Sequence, residues 1–163
     1  MLTQREISDR LEIEQLLYLY GRAVDARELE RLRSVFTADA RIAYNVVRGV
    51  DLRFPEMLEW LRSSLRIFKV TQHAMSNPLI ELDGDAARAT TYLSAAHVQE
   101  RLDGEETYVL QHAIYFDALV RTDAGWRISS RRLDNIWIDG SFLGPDEVRC
   151  FEKPEPQGRP EAL

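Results

Sequence analysis

Four long β-like runs, packed one after another into the second half of the sequence, constrain this chain more than any other feature. They cover about residues 70–82, 86–101, 105–121 and 126–138 and are separated by the turn signals Asp83-Gly84-Asp85, Asp103-Gly104 and Asp123-Ala124-Gly125. Runs of that length curl, and turns that short make consecutive strands antiparallel neighbours. Ahead of them the periodicity is helical. Thr3-Gln4-Arg5-Glu6 has the capping-box pattern, and Ile13, Leu16, Leu17, Tyr20 and Val24 form one apolar stripe that turns Tyr20 inward and Tyr18 outward. The spacing of Leu29, Leu32, Val35 and Phe36 predicts a second helix over ARELERLRSVF, a strand follows in ARIAYNVV, and Pro55 opens a third helix over PEMLEWLRSSLRIF. Helices first and a meander second predict the α+β class. Beyond Gly140, the prolines and charges of SFLGPDEVRCFEKPEPQGRPEAL predict an irregular arm and a disordered tail. We therefore expect one domain over residues 1–140 and an appended arm and tail over 141–163.

Composition narrows the classes of partner. A chain of 163 residues suits one domain, and 45% apolar with 29% charged residues is enough for a packed core. The net charge of −6 comes from interspersed acids and bases, so no basic stripe exists to neutralise phosphates and nucleic acid is excluded as a partner. Cys150 is the single cysteine, which rules out an intrachain disulfide framework and suits a reducing compartment. The opening MLTQREISDRLEIEQ is charged and has no apolar run, so neither a signal peptide nor a membrane anchor is expected, and the expected location is the cytoplasm.

Two polar residues stand where a reason is needed: Asp25, at the end of the first helical stripe, and His73, inside the first long strand. Together they would form an imidazole base oriented by a carboxylate. Separately, Asp25 would be a helix-end carboxylate paired with Arg22 or Arg27, and His73 a strand histidine satisfied by a backbone carbonyl. His97 and His112 share the parity of Ala95 and Gln99, and of Leu110 and Ile114, a pattern that suits pocket lining and ordinary packing equally. The three histidines are widely spaced with no short ligand pair, so no metal and no cofactor are expected. Counting by two from Trp126 and Ile128 puts Arg132 on their face, and a β-bulge between 126 and 132 would exchange it for Arg131.

Three segments, EIEQLLYLYGRAVDARELERLRSVFTADA, TQHAMSNPLIELDGDAARATTYLSA and AIYFDALVRTDAGWRISSRRL, resemble in order and spacing the SnoaL-like family of the nuclear-transport-factor-2-like superfamily, over about residues 5–140. The resemblance implies a cone-shaped, curved antiparallel sheet wrapped around the N-terminal helices, a cystatin-like α+β barrel whose pocket suits one small hydrophobic ligand. Members such as scytalone dehydratase, hexachlorocyclohexane dehydrochlorinase and bile-acid 7α-dehydratase are similar in placing an Asp on the first helix and a His on the first long strand. Asp25 and His73 hold those positions. The bile-acid enzyme adds a Tyr five residues before its Asp, matched by Tyr20, and scytalone dehydratase adds a second strand His, matched by His97. What this implies is a cofactor-independent lyase of the dehydratase type acting on a small hydrophobic cyclic substrate. His73 would take the proton, Asp25 orient it, Tyr20 assist the reacting oxygen, and Arg132, His97 and His112 contact the substrate. The family also offers an isomerase resembling ketosteroid isomerase, and a noncatalytic ligand-binding or assembly module such as the β subunit of ring-hydroxylating dioxygenases. A homodimer or homotrimer is expected, because the outer face of such a sheet stays bare unless another subunit covers it.

Overall fold

A computed structural model describes residues 1–45 and 49–153. Helix α1 (Gln4–Asp25) opens on the capping box: Thr3 Oγ1 accepts from the Glu6 N–H at 3.2 Å, and the Glu6 carboxylate accepts from the Thr3 N–H at 2.6 Å. Its stripe is buried from Ile13 to Val24, with Tyr20 inside. The expected second helix is only a 3₁₀ turn, Leu29–Ser34. Leu29, Leu32, Val35 and Phe36 are buried as their spacing requires. However, the backbone reverses at Arg27 and Phe36 already begins a strand, which leaves too few residues for an α-helix.

Strand β1 (Phe36–Asn45) starts four residues ahead of the expected ARIAYNVV, whose Val46 and Val47 lie outside the described residues. Strand β2 (Val50–Arg53) leads into α2 (Phe54–Ser64), which has Pro55 in its first turn and is prolonged by a 3₁₀ turn, Leu65–Ile67. The four long runs become β3 (Val70–Asp83), β4 (Ala86–Glu100), β5 (Glu106–Thr122) and β6 (Gly125–Asp139). The six strands form one curved, unclosed sheet in the order β2-β1-β6-β5-β4-β3. The fold is α+β, as expected. One pair departs from the expected antiparallel pattern, β1 running parallel to β6.

The concave face carries the alternate buried positions, among them Ala87, Leu93 and Ala95 on β4 and Val109, Ala113 and Tyr115 on β5. The start of α1 is tied to the last hairpin. Asp9 accepts from Arg121 Nη2 at 2.6 Å and from Trp126 Nε1 at 3.2 Å, and the Arg121 hydrogen bond holds its carboxyl below the ordinary range. Among the described residues no helix covers the convex face, which exposes Tyr92, Tyr108, Leu110, Ile136 and Trp137.

Gly140, at φ 86°, turns the chain out of β6. The arm that follows is docked. The Gln99 side-chain amide meets both backbone groups of Leu143, accepting from its N–H at 2.9 Å and donating to its carbonyl at 3.1 Å. Val148 is buried and bridges to Arg101, and the Arg149 and Phe151 N–H groups reach the Glu100 and Arg66 carbonyls at 2.8 and 2.7 Å. The expected disordered tail falls on residues 154–163, outside the described residues. Among the described residues no helix is long and apolar enough to cross a membrane.

Candidate active site

The site begins with a glycine. A Cβ on Gly21 would stand 3.1 Å from the His73 carbonyl oxygen and 3.4 Å from the His73 Cβ, so its absence is what lets α1 lie directly on β3. One turn later on the same side of the helix, Asp25 faces His73. Its Oδ1 lies 2.6 Å from His73 Nδ1, and its Oδ2 accepts from the His73 backbone N–H at 2.7 Å. One carboxylate thus holds the ring and the main chain of the same residue. The grip favours the tautomer protonated at Nδ1 and leaves Nε2 as the basic nitrogen. The side chains are 23% exposed for Asp25 and 9% for His73, sheltered but reachable. Arg27, the alternative partner, turns its guanidinium elsewhere, to the carbonyls of Val24, Leu65 and Phe68 and to Thr71 Oγ1.

His97 joins this pair from the concave face of β4. Its ring centroid is 5.5 Å from that of His73, nearly perpendicular to it, with Phe68 at 5.0 Å and Phe142 of the arm at 5.2 Å. Burial first, and the neighbouring His73 second, push its pKa down to about 3, so it is neutral near pH 7. Its Nδ1 is buried without a hydrogen-bond partner among the described residues.

His112 does not join them. It lies on the convex face, stacked on Trp137 with ring centroids 4.0 Å apart. Arg132 is likewise outside, over the Phe116 ring at 4.4 Å and paired with Asp134 at 3.0 Å. The cause is a bulge. Ala118 pairs with Ser130 but Leu119 with Ile128, so Ser129 is an extra residue that reverses the alternation and brings Arg131 inside.

Tyr20 belongs to this second interior cluster. It follows the helix surface about 100° round from Gly21, toward β1, β5 and β6. Its hydroxyl is 2.6 Å from that of Tyr44, and the Arg131 guanidinium lies 4.3 Å from its ring centroid and 4.2 Å from that of Tyr115. Arg131 donates through Nε and Nη2 to the two Asp117 oxygens at 2.8 and 2.7 Å, and both side chains are fully buried. Burial works against the guanidinium charge, but Asp117 more than compensates and raises its pKa. Burial, followed by the charge on Tyr20 were it to ionise, pushes the Tyr44 and Tyr115 phenols well above their usual range, which keeps both protonated.

As site residues, Gly21, Phe68, Phe142 and Asp117 escaped the sequence reading, which had Arg131 as the residue a β-bulge would bring inside. Asp117 left a usable signal, an acid at the same parity as Tyr115 and Leu119; Phe142 left none, because nothing local tells an arm where to dock. A surface groove of about 570 Å³, lined by Arg27, Leu29, Arg62, Leu65 and Phe151, lies away from His73. Its charges are matched, Arg31 by Glu28, Arg62 by Glu30 and Arg66 by Glu152. Chemistry, not volume, therefore locates the candidate site.

The profile of the SnoaL-like domain matches residues 5–132. An uncharacterised protein of Mycobacterium tuberculosis strain H37Rv is 37% identical over 154 residues, which make up 94% of this chain and 93% of that protein. Among solved structures, a candidate scytalone dehydratase of Novosphingobium aromaticivorans superposes with a TM-score of 0.75 at 20% identity, over 97% of this chain and all of that one. The hexachlorocyclohexane dehydrochlorinase LinA type 3 of Novosphingobium barchaimii does so with a TM-score of 0.70 at 19% identity, over 85% of this chain and 97% of that one. Both structural likenesses are likenesses of fold.

Proposed function

The chain belongs to the SnoaL-like domain family, and on that premise we propose that it is a small-molecule lyase of the dehydratase type, working with its own side chains on a small, hydrophobic cyclic substrate. The observation that carries this reading is the two-point hold of Asp25 on His73 at 2.6 and 2.7 Å. His73 Nε2 removes a proton from a carbon next to a carbonyl, and Asp25 stabilises the imidazolium as it forms, so most of the electrostatic gain falls in the transition state. The electron pair released from the C–H bond passes through the enolate, forms the new C=C bond and expels the hydroxyl, which leaves as water with the proton returned by His73. Neutral His97 adds a polar wall without a competing charge. The Tyr20–Tyr44 hydroxyl pair, backed by Arg131, is suited to donate to the carbonyl oxygen as it gains charge.

The two structural neighbours, a candidate dehydratase and a dehydrochlorinase, favour elimination over the isomerase alternative. The test is 3-hydroxy-1-tetralone, which loses water to give 1-naphthol and is followed by absorbance and by α-proton exchange in D₂O. His73→Ala is expected to lower both rates by about 10²–10⁴-fold while the chain stays folded. Unchanged rates in that variant would remove the mechanism.

The apolar convex face favours a second copy of this chain as its cover, in a dimer or trimer. Trp137→Glu is expected to shift the sedimenting species toward monomer, and an unshifted distribution would count against this face. The lone, exposed Cys150 suits a reducing cytoplasm.

A further inference from the structure

Helix α1 ends in a Schellman motif. The Glu28 N–H returns to the Ala23 carbonyl at 2.9 Å and the Arg27 N–H to the Val24 carbonyl at 3.1 Å, with Arg27 itself in the left-handed region at φ 58°. Glycine is the usual residue at that position because it has no Cβ to strain. An arginine held there is a local cost that some other interaction must offset.

The offset lies in where the left-handed turn sends the side chain. The guanidinium passes beneath the helix end and donates through Nη1 to the Val24 carbonyl at 3.0 Å and to Thr71 Oγ1 at 2.8 Å. Nη2 donates to the Leu65 and Phe68 carbonyls, each at 3.3 Å. Val24 directly precedes Asp25. Thr71 is buried two residues before His73, on the same face of β3. Phe68 is the ring against His97. A single side chain therefore ties the last turn of the helix that carries the acid to the strand that carries the base, and to one wall beside it. Its planar fork can hold several carbonyls at once, which an ammonium on a flexible stem cannot do in a fixed geometry.

We propose that Arg27 is a positioning residue that keeps the Asp25 carboxylate within bonding distance of His73. It acts through Val24 and Thr71, and its importance for turnover rests on the general-base reading above. Its test needs no turnover.

In the full-length protein, the Asp25 contact should give His73 a low-field Nδ1 proton signal and the ¹⁵N shifts of a ring protonated at Nδ1. Arg27→Gly is the deciding variant, because glycine accepts the left-handed turn freely and so replaces a mere helix terminator without loss. The expected result is loss of the low-field proton and a mixture of His73 tautomers. Arg27→Lys, which keeps the charge but not the fork, is expected to weaken the signal without abolishing it. A wild-type His73 spectrum in Arg27→Gly would overturn the proposal. Should that variant not fold, Thr71→Val removes a single acceptor from the same hold. Faster solvent exchange of the His73 Nδ1 proton is then the supporting result, and an unaltered spectrum overturns the proposal. A wild-type protein with the full His73 signature that leaves 3-hydroxy-1-tetralone untouched would sink the lyase reading and leave this one standing.

Discussion

Two carboxylates inside this fold each hold a cationic or protonatable partner by two points, and the two pairs are built for opposite purposes. Asp117 takes both of its bonds from the Arg131 guanidinium, in a place with no solvent exposure, between the rings of Tyr20 and Tyr115. Asp25 takes one bond from the His73 ring and one from its main chain, at the partly open end of the same interior. An arginine keeps its proton at every pH a protein survives, so the Asp117 pair cannot take part in proton transfer and serves to organise the rings around it. An imidazole has one ring nitrogen that can take up a proton while the other stays hydrogen-bonded, so the Asp25 pair has the chemistry for proton transfer that the Asp117 pair lacks. The difference teaches that paired burial alone does not mark a working site; the partner's protonation chemistry and its access to solvent do.

Removing one member should separate the two pairs most sharply. Asp117→Ala strands a guanidinium in the core and is expected to destabilise the fold by about 3–5 kcal/mol, whereas replacing both partners by apolar residues should recover much of that loss. Asp25→Asn keeps the size of its side chain in a half-open place, and is expected to cost turnover far more than it costs stability. Chemical denaturation of the three variants reads the first contrast and the tetralone assay the second. If Asp117→Ala were the milder change in denaturant, the division of labour argued here would fail.

His97 sharpens the comparison, because it is an imidazole buried beside the Asp25–His73 pair without a carboxylate of its own. With its pKa pushed from the ordinary 6.5 to about 3, the unfolded chain binds a proton there that the folded chain refuses. The stability it contributes is fully present above about pH 6.5 and is lost as pH falls toward 3, by at most about 1.4 kcal/mol per pH unit. His97→Phe, which keeps an aromatic ring between Phe68 and Phe142, is expected to flatten that stretch of the stability–pH curve. Equal slopes in the two proteins would mean that His97 is solvated in solution.

What the sequence disclosed follows the same divide between local and non-local causes. The capping box at Thr3, the four strand limits and the candidacy of Asp25 and His73 depend on spacing within one segment, and spacing is written in the chain. The exchange of Arg132 for Arg131 depends on Ser129 being skipped by its partner strand, and pairing is settled only when β5 and β6 meet. His112 and Leu110 share a parity, but which parity faces the core is decided by where α1 lies. The helix expected over ARELERLRSVF was lost to Arg27, whose left-handed turn is stabilised by acceptors nearly forty or more positions away, at Leu65, Phe68 and Thr71.

The gentlest expected change tests whether geometry and stability can be separated at the Asp25–His73 pair itself. Gly21→Ala should gain about 1 kcal/mol from helix propensity, because alanine has less backbone freedom to lose. It should lose a comparable amount from a methyl placed 3.1 Å from the His73 carbonyl oxygen, a contact that the strand relieves only by moving a few tenths of an ångström. The two terms nearly cancel, so the melting temperature should stay within a few degrees of the parent's. The shift they leave behind is in the spacing of α1 and β3, and that spacing sets the 2.6 Å contact between Asp25 and His73. Turnover of the tetralone should therefore drop while the fold holds, and a variant as active as its parent would mean that His73 follows the strand without losing its acid.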